Sequence, residues 1–233
     1  MKKIFYITTL LLLIGCKNNS GKELASFRTI TDIFDQLEIA DLNIILNFFN
    51  DQICSIENKA NIIECYQSFF ERVELTNETG NFDLRISFQK QQEMYNQISE
   101  HTFNQIWIFN EGRMLYLREE KSYIFETIEF NSYGKYLKFL KELGKKNKTI
   151  KGYYEDWITA GGMSPTVIGS VLSDYKHYDI RDLRIQLVIA IHYLTLNHGF
   201  ETPRTVFYGD SITCWRGRTV HVDWQSVPNH KNI

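Results

Sequence analysis

Hydrophobic positions in the first third of the chain repeat with the period of a helix. Apolar side chains recur at intervals of three and four residues, which places them on one helical face. The three groups are Ile30, Ile33, Phe34 and Leu37; Leu42, Ile45, Leu46 and Phe49; and Ile62, Tyr66, Phe69, Phe70 and Val73. The pattern predicts a small antiparallel helical bundle that ends at a polar break over residues 76–80.

The middle of the chain changes to a period of two. Residues 82–88 alternate apolar and polar side chains, which is typical of a half-buried strand. Residues 105–109 and 113–117 flank Asn110-Glu111-Gly112, a sequence that predicts a hairpin with a three-residue loop. Residues 122–128 predict a further strand.

Helical periodicity returns in the last third. The predicted helices cover residues 133–143, residues 150–160, residues 165–175 after Ser164-Pro165, and residues 179–197. The last is the most apolar and is expected to be the central buried helix, while residues 205–224 alternate like strands. We therefore expect a mainly helical α+β fold, with an N-terminal helical bundle, a central β-hairpin or small antiparallel sheet, and C-terminal helices before a short terminal β segment.

The N-terminus has the pattern of an export signal. Two lysines precede an apolar run over residues 4–14, which is shorter than the roughly 20 residues of a membrane-spanning helix. Leu13-Ile14-Gly15-Cys16 resembles the lipobox of bacterial lipoproteins. The resemblance implies that residues 1–15 are a cleaved signal peptide and that Cys16 carries a diacylglycerol and an amide-linked acyl chain such as palmitate. Residues 16–25 would then be a flexible tether and residues 26–233 a single globular domain.

The same resemblance gives an expected location in the cell envelope. In that family an Asp directly after the lipidated cysteine is associated with retention at the inner membrane, and this chain has Lys17 there. The expectation is therefore an outer-membrane protein that contacts the membrane through its acyl chains.

Cysteine spacing points to one disulfide. Cys54 and Cys65 would stand about 16 Å apart on one continuous helix, and a disulfide needs Cα atoms within about 7 Å. A bridge therefore requires a turn between them, which residues 55–58 are expected to supply. Cys214 is then an unpaired thiol, expected to pack as a small hydrophobic side chain.

Charge excludes one class of partner and leaves another open. A net charge of −2 does not fit a globally basic nucleic-acid-binding protein. Seven lysines nevertheless fall between Lys135 and Lys151. They form either a solvated helix face or a face toward an anionic membrane.

A short motif near the C-terminus suggests a possible nucleophile. Residues 206–213 resemble the first block of the GDSL/SGNH hydrolases, in which Ser211 would be the nucleophile and His177 or His221 the base. Only 22 residues follow Ser211, too few for the rest of that fold. The alternative interpretation is a Gly-Asp-Ser turn between two short strands.

Other candidate sites are weaker. His192 and His198 are six residues apart and do not share a helix face, and no cofactor fingerprint or metal-ligand set occurs, so neither a cofactor nor a metal is expected. Asp174, His177 and Asp179 lie in a tyrosine-rich loop, where a calcium-binding or other binding role competes with helix capping by Asp179.

The hypothesis from sequence is a lipid-anchored, non-catalytic binding module, of inhibitor or immunity type, for an envelope or secreted protein. Trp215, Arg216 and Arg218 are its candidate interface, because Trp and Arg are enriched at binding hot spots. The alternatives are an envelope ester hydrolase using Ser211, and a small-ligand or peptidoglycan binder with a concave, aromatic-lined pocket.

Overall fold

The structure is a computed structural model of the 233-residue chain. It describes residues 23–57, 61–79, 84–116, 121–162, 175–202, 205–208, 211–214 and 218–220, together with positions 167, 169 and 171. Cys16, Trp215, Arg216 and His221 lie outside these ranges. Within them the protein is a mainly helical α+β fold with an antiparallel sheet, as predicted.

The elements alternate between helical and sheet regions along the chain. The helices are α1 (Arg28–Thr31), α2 (Gln36–Glu57), α3 (Ile62–Thr79), α4 (Phe88–Tyr95), α5 (Glu100–Ile106), α6 (Lys135–Gly144), α7 (Lys148–Ala160) and α8 (Leu183–Glu201), with 3-10 turns at Leu24–Ser26 and Tyr175–His177. The strands are β1 (Trp107–Tyr116), β2 (Lys121–Phe130), β3 (Thr205–Tyr208), β4 (Ser211–Cys214) and β5 (Arg218–Val220).

The N-terminal bundle matches the predicted pattern except at its ends. All four apolar residues of the second predicted group are buried, and in the third group only Ile62 is partly exposed. Leu37 is 78% exposed, because Asp35 caps a new helix there and turns this residue toward solvent. The polar break predicted from residue 76 is wrong, since α3 continues to Thr79. Leu24, inside the range predicted as tether, is buried in the core.

The predicted disulfide between Cys54 and Cys65 is present, with Cα atoms 4.9 Å apart. It joins the last turn of α2 to the first turn of α3. The turn lies later than predicted, because residues 55–57 still belong to α2. The bridge therefore fixes the corner between the two helices.

The strand predicted over residues 82–88 is wrong. In the described part of this segment Leu84 and Ile86 are buried and Arg85 is exposed, as the alternation requires, but the sheet does not include them. The Ile86 carbonyl instead accepts a hydrogen bond from the Asn197 side chain at 3.3 Å. Arg85 has a φ of 54°, which breaks the extended path before α4 begins at Phe88.

The hairpin turn predicted at residues 110–112 is also wrong. β1 runs straight through them, with Asn110 opposite Thr127 and Gly112 opposite Phe125. The pairing with β2 extends from Trp107–Phe130 to Tyr116–Lys121, so the connection follows Tyr116. The backbone hydrogen bonds between β1 and β2 on either side of these residues outweigh their local preference for a turn.

The five described strands form one antiparallel meander in the order β1-β2-β3-β4-β5. β3 returns beside β2 after the whole helical segment from α6 to α8, with Ile124 opposite Thr205. The sheet packs on α8 through β2, where Ile128 and Phe130 are buried. The C-terminal β segment thus extends the central hairpin.

The three later helices agree with the sequence pattern. α6 ends at Gly144, and α7 ends at Ala160 with Gly161 as its C-cap, whose φ of 70° is the left-handed conformation that glycine adopts at helix ends. In α8 every residue from Ile185 to His198 is buried, as predicted for the central helix. Its N-cap is Asp182, not Asp179, because the Asp182 carboxylate accepts the Arg184 backbone N–H at 2.9 Å.

A buried ion pair ties α6 to the start of α2. The Glu38 carboxylate is only 1% exposed and accepts hydrogen bonds from Lys135 Nζ at 2.7 and 2.6 Å. His101 Nε2 of α5 lies 3.1 Å from the same carboxylate. Glu38 also accepts the Asp35 backbone N–H at 2.8 Å, while Asp35 accepts the N–H of Glu38, which completes a capping box. Three helices therefore meet at one carboxylate.

We expect Lys135→Met to lower the free energy of unfolding by about 3 kcal/mol, because it leaves the Glu38 carboxylate buried without its ammonium partner. Urea unfolding at neutral pH measures the change. Lys138→Met on the exposed face of α6 is the matched control, with an expected change within about 0.5 kcal/mol. Equal stability of the two variants would show that the Glu38–Lys135 pair adds nothing to the fold.

Candidate functional site

An open cleft lies between α3 and the segment that leads into α8. Its volume is about 310 Å³, within the range that small ligands and peptide side chains occupy. The lining residues are Ile63, Gln67, Phe70, Tyr175, Lys176, Tyr178, Asp179, Ile180 and Arg181. The cleft combines apolar walls with charged groups at its margin, which is the usual composition of a binding site.

The apolar wall is held in place by aromatic stacking. The rings of Phe70 and Tyr175 lie nearly parallel, with centroids 4.8 Å apart. The Tyr175 hydroxyl donates to the Glu74 carboxylate at 3.4 Å, and Lys176 Nζ lies 5.2 Å from the Tyr175 ring centroid. These three contacts hold the Tyr175 side chain in one orientation. A ligand that contacts the remaining exposed part of the ring therefore costs little conformational entropy.

The described lining residues carry two positive charges and one negative charge. Lys176 and Arg181 are exposed and Asp179 is the only carboxylate among these described residues, while the Glu74 carboxylate contacts the Tyr175 hydroxyl. The Asp179 carboxylate also accepts the Arg181 backbone N–H at 3.1 Å, so part of its capacity serves the local turn. The cleft therefore favours a ligand with an anionic group next to an apolar or planar one.

Beneath the cleft lies a buried group of tyrosines around one histidine. Tyr178 lines the cleft and is close enough to raise the pKa values of Tyr153 and Tyr193, although burial is the larger cause for both. The Tyr153 hydroxyl lies 3.1 Å from Nδ1 of His192. Within the described residues, His192 Nε2 and the Tyr193 hydroxyl have no hydrogen-bond partner.

This buried group is unsuited to acid–base catalysis. Burial lowers the pKa of His192 to about 3, so the imidazole is neutral and weakly basic at neutral pH. Burial also raises the pKa of Tyr153 well above its ordinary value, so its hydroxyl stays protonated. Neither His192 nor Tyr153 is therefore poised to exchange a proton at neutral pH.

A second buried histidine lies on α8. His198 is surrounded by the rings of Phe88, Tyr95 and Phe109, with centroids 5.5 to 6.1 Å away. Burial lowers its pKa to about 4, and the Glu126 carboxylate is 4.0 Å from its Nε2. Like His192, it is neutral when the protein is folded at neutral pH.

The structure does not bring the predicted catalytic residues into a described site. Ser211 begins β4 opposite Tyr208 of β3, and β4 continues as a strand. In the GDSL/SGNH block the corresponding serine follows a strand and leads into a helix. His177 is exposed in the 3-10 turn beside the cleft, and His221 lies outside the described residues. Gly209 and Asp210, the other two residues of the alternative Gly-Asp-Ser turn, lie outside the described residues.

The predicted interface stays a prediction. Trp215 and Arg216 lie outside the described residues, and of the three only Arg218 has a described position, at the start of β5 opposite Cys214. Trp107 and Trp157 are buried.

Sequence reasoning found only one side of the cleft. The tyrosine-rich loop around Asp179 was a candidate for binding, and it forms that side. The other side comes from α3, where Phe70 fits the helical core pattern and Gln67 has no distinguishing feature. Only the packing of α3 against the later loop makes Phe70 part of a cleft wall.

Three comparisons with known proteins gave no match: no protein-family model, no curated protein and no solved structure matches the chain. Among the described residues, no helix is both long enough and apolar enough to cross a membrane. The geometry of the cleft is therefore the basis for a functional assignment.

We expect the folded protein to lose stability as the pH falls from about 6.5 toward 4. His192 and His198 have folded pKa values below the ordinary value of 6.5, so protons bind more readily to the unfolded chain. Each histidine then costs about 1.4 kcal/mol per pH unit below 6.5, or roughly 4 kcal/mol in total at pH 5. Urea unfolding at pH 7 and pH 5 measures the difference.

The exposed His101→Gln variant should keep most of this pH dependence, whereas His198→Gln should remove about half of it. Stability that is equal at pH 7 and pH 5 in the unaltered protein would contradict the neutral state of both buried histidines.

Proposed function

We propose that the protein is a bacterial lipoprotein, held at the outer membrane by acyl chains on Cys16, and that its folded domain is a non-catalytic binding module of inhibitor or immunity type. The cleft between α3 and the loop before α8 is the observation that carries the binding role. Its partner is an envelope or secreted protein that presents an anionic group beside an apolar or aromatic one.

The disulfide supports the exported part of the proposal. Disulfides persist in oxidising compartments and are rare in reduced ones, so a Cys54–Cys65 bridge fits a protein that leaves the cytoplasm. The N-terminal pattern up to Cys16 provides the address, and two or three acyl chains would hold the protein stably at a membrane.

The cleft supports binding over hydrolysis. Its walls are rigid aromatic rings and its margin carries Lys176 and Arg181, which are groups that recognise charge and shape. A hydrolase would need a nucleophile with a basic partner within hydrogen-bond reach. The described residues of the cleft include no serine, cysteine or histidine.

We expect Cys16→Ser to release the protein from the membrane fraction, because the serine hydroxyl does not accept the diacylglycerol. Immunoblotting of membrane and soluble fractions measures the shift, and mass spectrometry of the N-terminal peptide identifies the acyl groups. Cys54→Ser is the control, since it removes a cysteine from the folded domain and keeps the lipid. A Cys16→Ser protein that stays with the membrane at wild-type levels would refute the anchor.

We expect Tyr175→Ala and Arg181→Gln each to weaken partner binding by at least tenfold, because each removes a wall or a charge of the cleft. Affinity capture from detergent-solubilised envelope, quantified by mass spectrometry, identifies the partner and measures the loss. Tyr133→Ala and Arg28→Gln are matched controls on the exposed surface, and Tyr133 is 99% exposed.

Thermal unfolding of all four variants separates binding from stability, since every substituted residue lies at least partly in solvent. Capture that is unchanged in both cleft variants, with the same partner in the same amount, would remove the cleft as the binding site.

A further inference from the structure

The lysine-rich segment forms a helical hairpin with its charges segregated on the solvent side. α6 buries five large side chains and exposes Lys138 and Lys141, and its C-cap residue Lys145 is also exposed. α7 buries Ile150 and Tyr153 and exposes Lys148 and Lys151. Residues 135–160 hold seven lysines against three carboxylates, although the whole chain carries a charge of −2. The hairpin is therefore a strongly basic region of an acidic protein.

A second pocket lies within this hairpin, between α6 and α7. Its volume is about 210 Å³, and its lining residues are Lys141, Gly144, Lys145, Lys151, Tyr154 and Glu155. The two helices approach closely beside it: a Cβ atom added to Gly144 would lie only 3.0 Å from the Lys151 Cα, which is tighter than ordinary van der Waals contact. This close crossing brings Lys141, Lys145 and Lys151 to the border of one small, mostly apolar space, which Glu155 also lines.

Existing ion pairs hold these lysines only weakly. Lys145 contacts Glu142 at 2.7 Å, and Lys151 lies 3.6 Å from Glu155. Both lysine side chains are 62% exposed, and ion pairs between exposed groups contribute little to stability. The ammonium groups are therefore free to turn toward an incoming anion such as a phosphate.

The start of the folded domain lies close to the hairpin. The 3-10 turn at Leu24–Ser26 contacts α1, and α1 contacts α6. Seven residue steps separate Cys16 from Glu23, which span at most about 25 Å when fully extended. An acyl group on Cys16 would therefore keep the domain within this distance of the membrane, with α6 on the side where the tether begins.

We infer that the exposed lysines around the pocket between α6 and α7 bind the phosphates of anionic lipid headgroups and thereby orient the anchored domain on the membrane. This inference rests on the proposed anchor at Cys16. Lysines near an anionic surface gain attraction that falls off within a Debye length. An acyl anchor holds only the N-terminus at the membrane, whereas several lysines on one face would also set which side of the domain faces the membrane.

Lysine acetylation on reconstituted vesicles tests the inference. The lipidated protein is placed in vesicles of phosphatidylcholine alone, or of phosphatidylcholine and phosphatidylglycerol in equal amounts, and acetylation rates are read by mass spectrometry. On the anionic vesicles at low salt we expect acetylation of Lys141, Lys145 and Lys151 to slow about fivefold, and high salt to restore it. Lys90, exposed on α4, is the internal control and should not change. Equal rates on both vesicles would overturn the inference.

Two further arms separate the sources of phosphate and the role of the pocket. Inorganic phosphate is added to the protein on neutral vesicles. Protection of the three lysines by inorganic phosphate, without protection by phosphatidylglycerol, would overturn the lipid assignment. Lys141→Gln should reduce the protection of Lys145 and Lys151 on anionic vesicles, whereas Lys90→Gln should leave it intact. Protection that survives Lys141→Gln unchanged would also count against the pocket.

Failure of the anchor gives a different result from failure of the inference. If mass spectrometry finds no acyl groups on Cys16 and the protein does not float with neutral vesicles, the anchor is refuted and the inference about the basic pocket is still open to test. Flotation of that unlipidated protein with anionic vesicles only would still support the basic pocket, and its absence would overturn the pocket as well.

Discussion

The burial of α8 on every side is the constraint on which the other elements depend. Fourteen consecutive residues, from Ile185 to His198, are removed from solvent, so the chain must supply neighbours around the whole circumference of the helix. α2, α4 and β2 all pack against it. Each large apolar side chain buried there contributes about 1.5–3 kcal/mol, and α8 holds more of the buried apolar side chains than any other described element.

That arrangement also requires partners for polar side chains on α8. The Gln186 amide donates to the Ile180 carbonyl at 2.7 Å, and Thr195 accepts the Trp107 indole N–H at 2.8 Å. Asn197 donates to Gln91 of α4 at 2.7 Å. A buried polar group without a partner costs free energy, so these bonds select one packing of the surrounding elements over others.

Sequence periodicity predicted the helices well, because burial of one helix face leaves a direct pattern in the chain. The core positions of α3 and the all-round apolar surface of α8 follow from that pattern alone. Predictions failed where a distant partner decides the outcome. Leu84 and Ile86 alternate like a strand, yet Asn197 of α8 takes the Ile86 carbonyl that a neighbouring strand would have used. Asn110-Glu111-Gly112 looks like a turn, but the ladder to β2 holds it extended.

The candidate binding sites were less predictable than the fold for the same reason. The cleft joins α3 to a loop more than 100 residues later, and neither part alone indicates a pocket. The run of lysines is visible in the sequence, but only the close crossing at Gly144 shows that lysines from both ends of the hairpin border one pocket. The two sites serve separate roles in the proposed function, one toward a partner and one toward the membrane.

The disulfide between Cys54 and Cys65 makes the stability of the domain depend on the redox conditions around it. A cross-link closing a loop of this size contributes roughly 2–3 kcal/mol, a large share of the 5–15 kcal/mol typical of a folded domain. In a reducing compartment the chain lacks that contribution, and in an oxidising one it gains it. Under the proposed export, the domain would therefore be easier to keep unfolded before translocation and most stable after it.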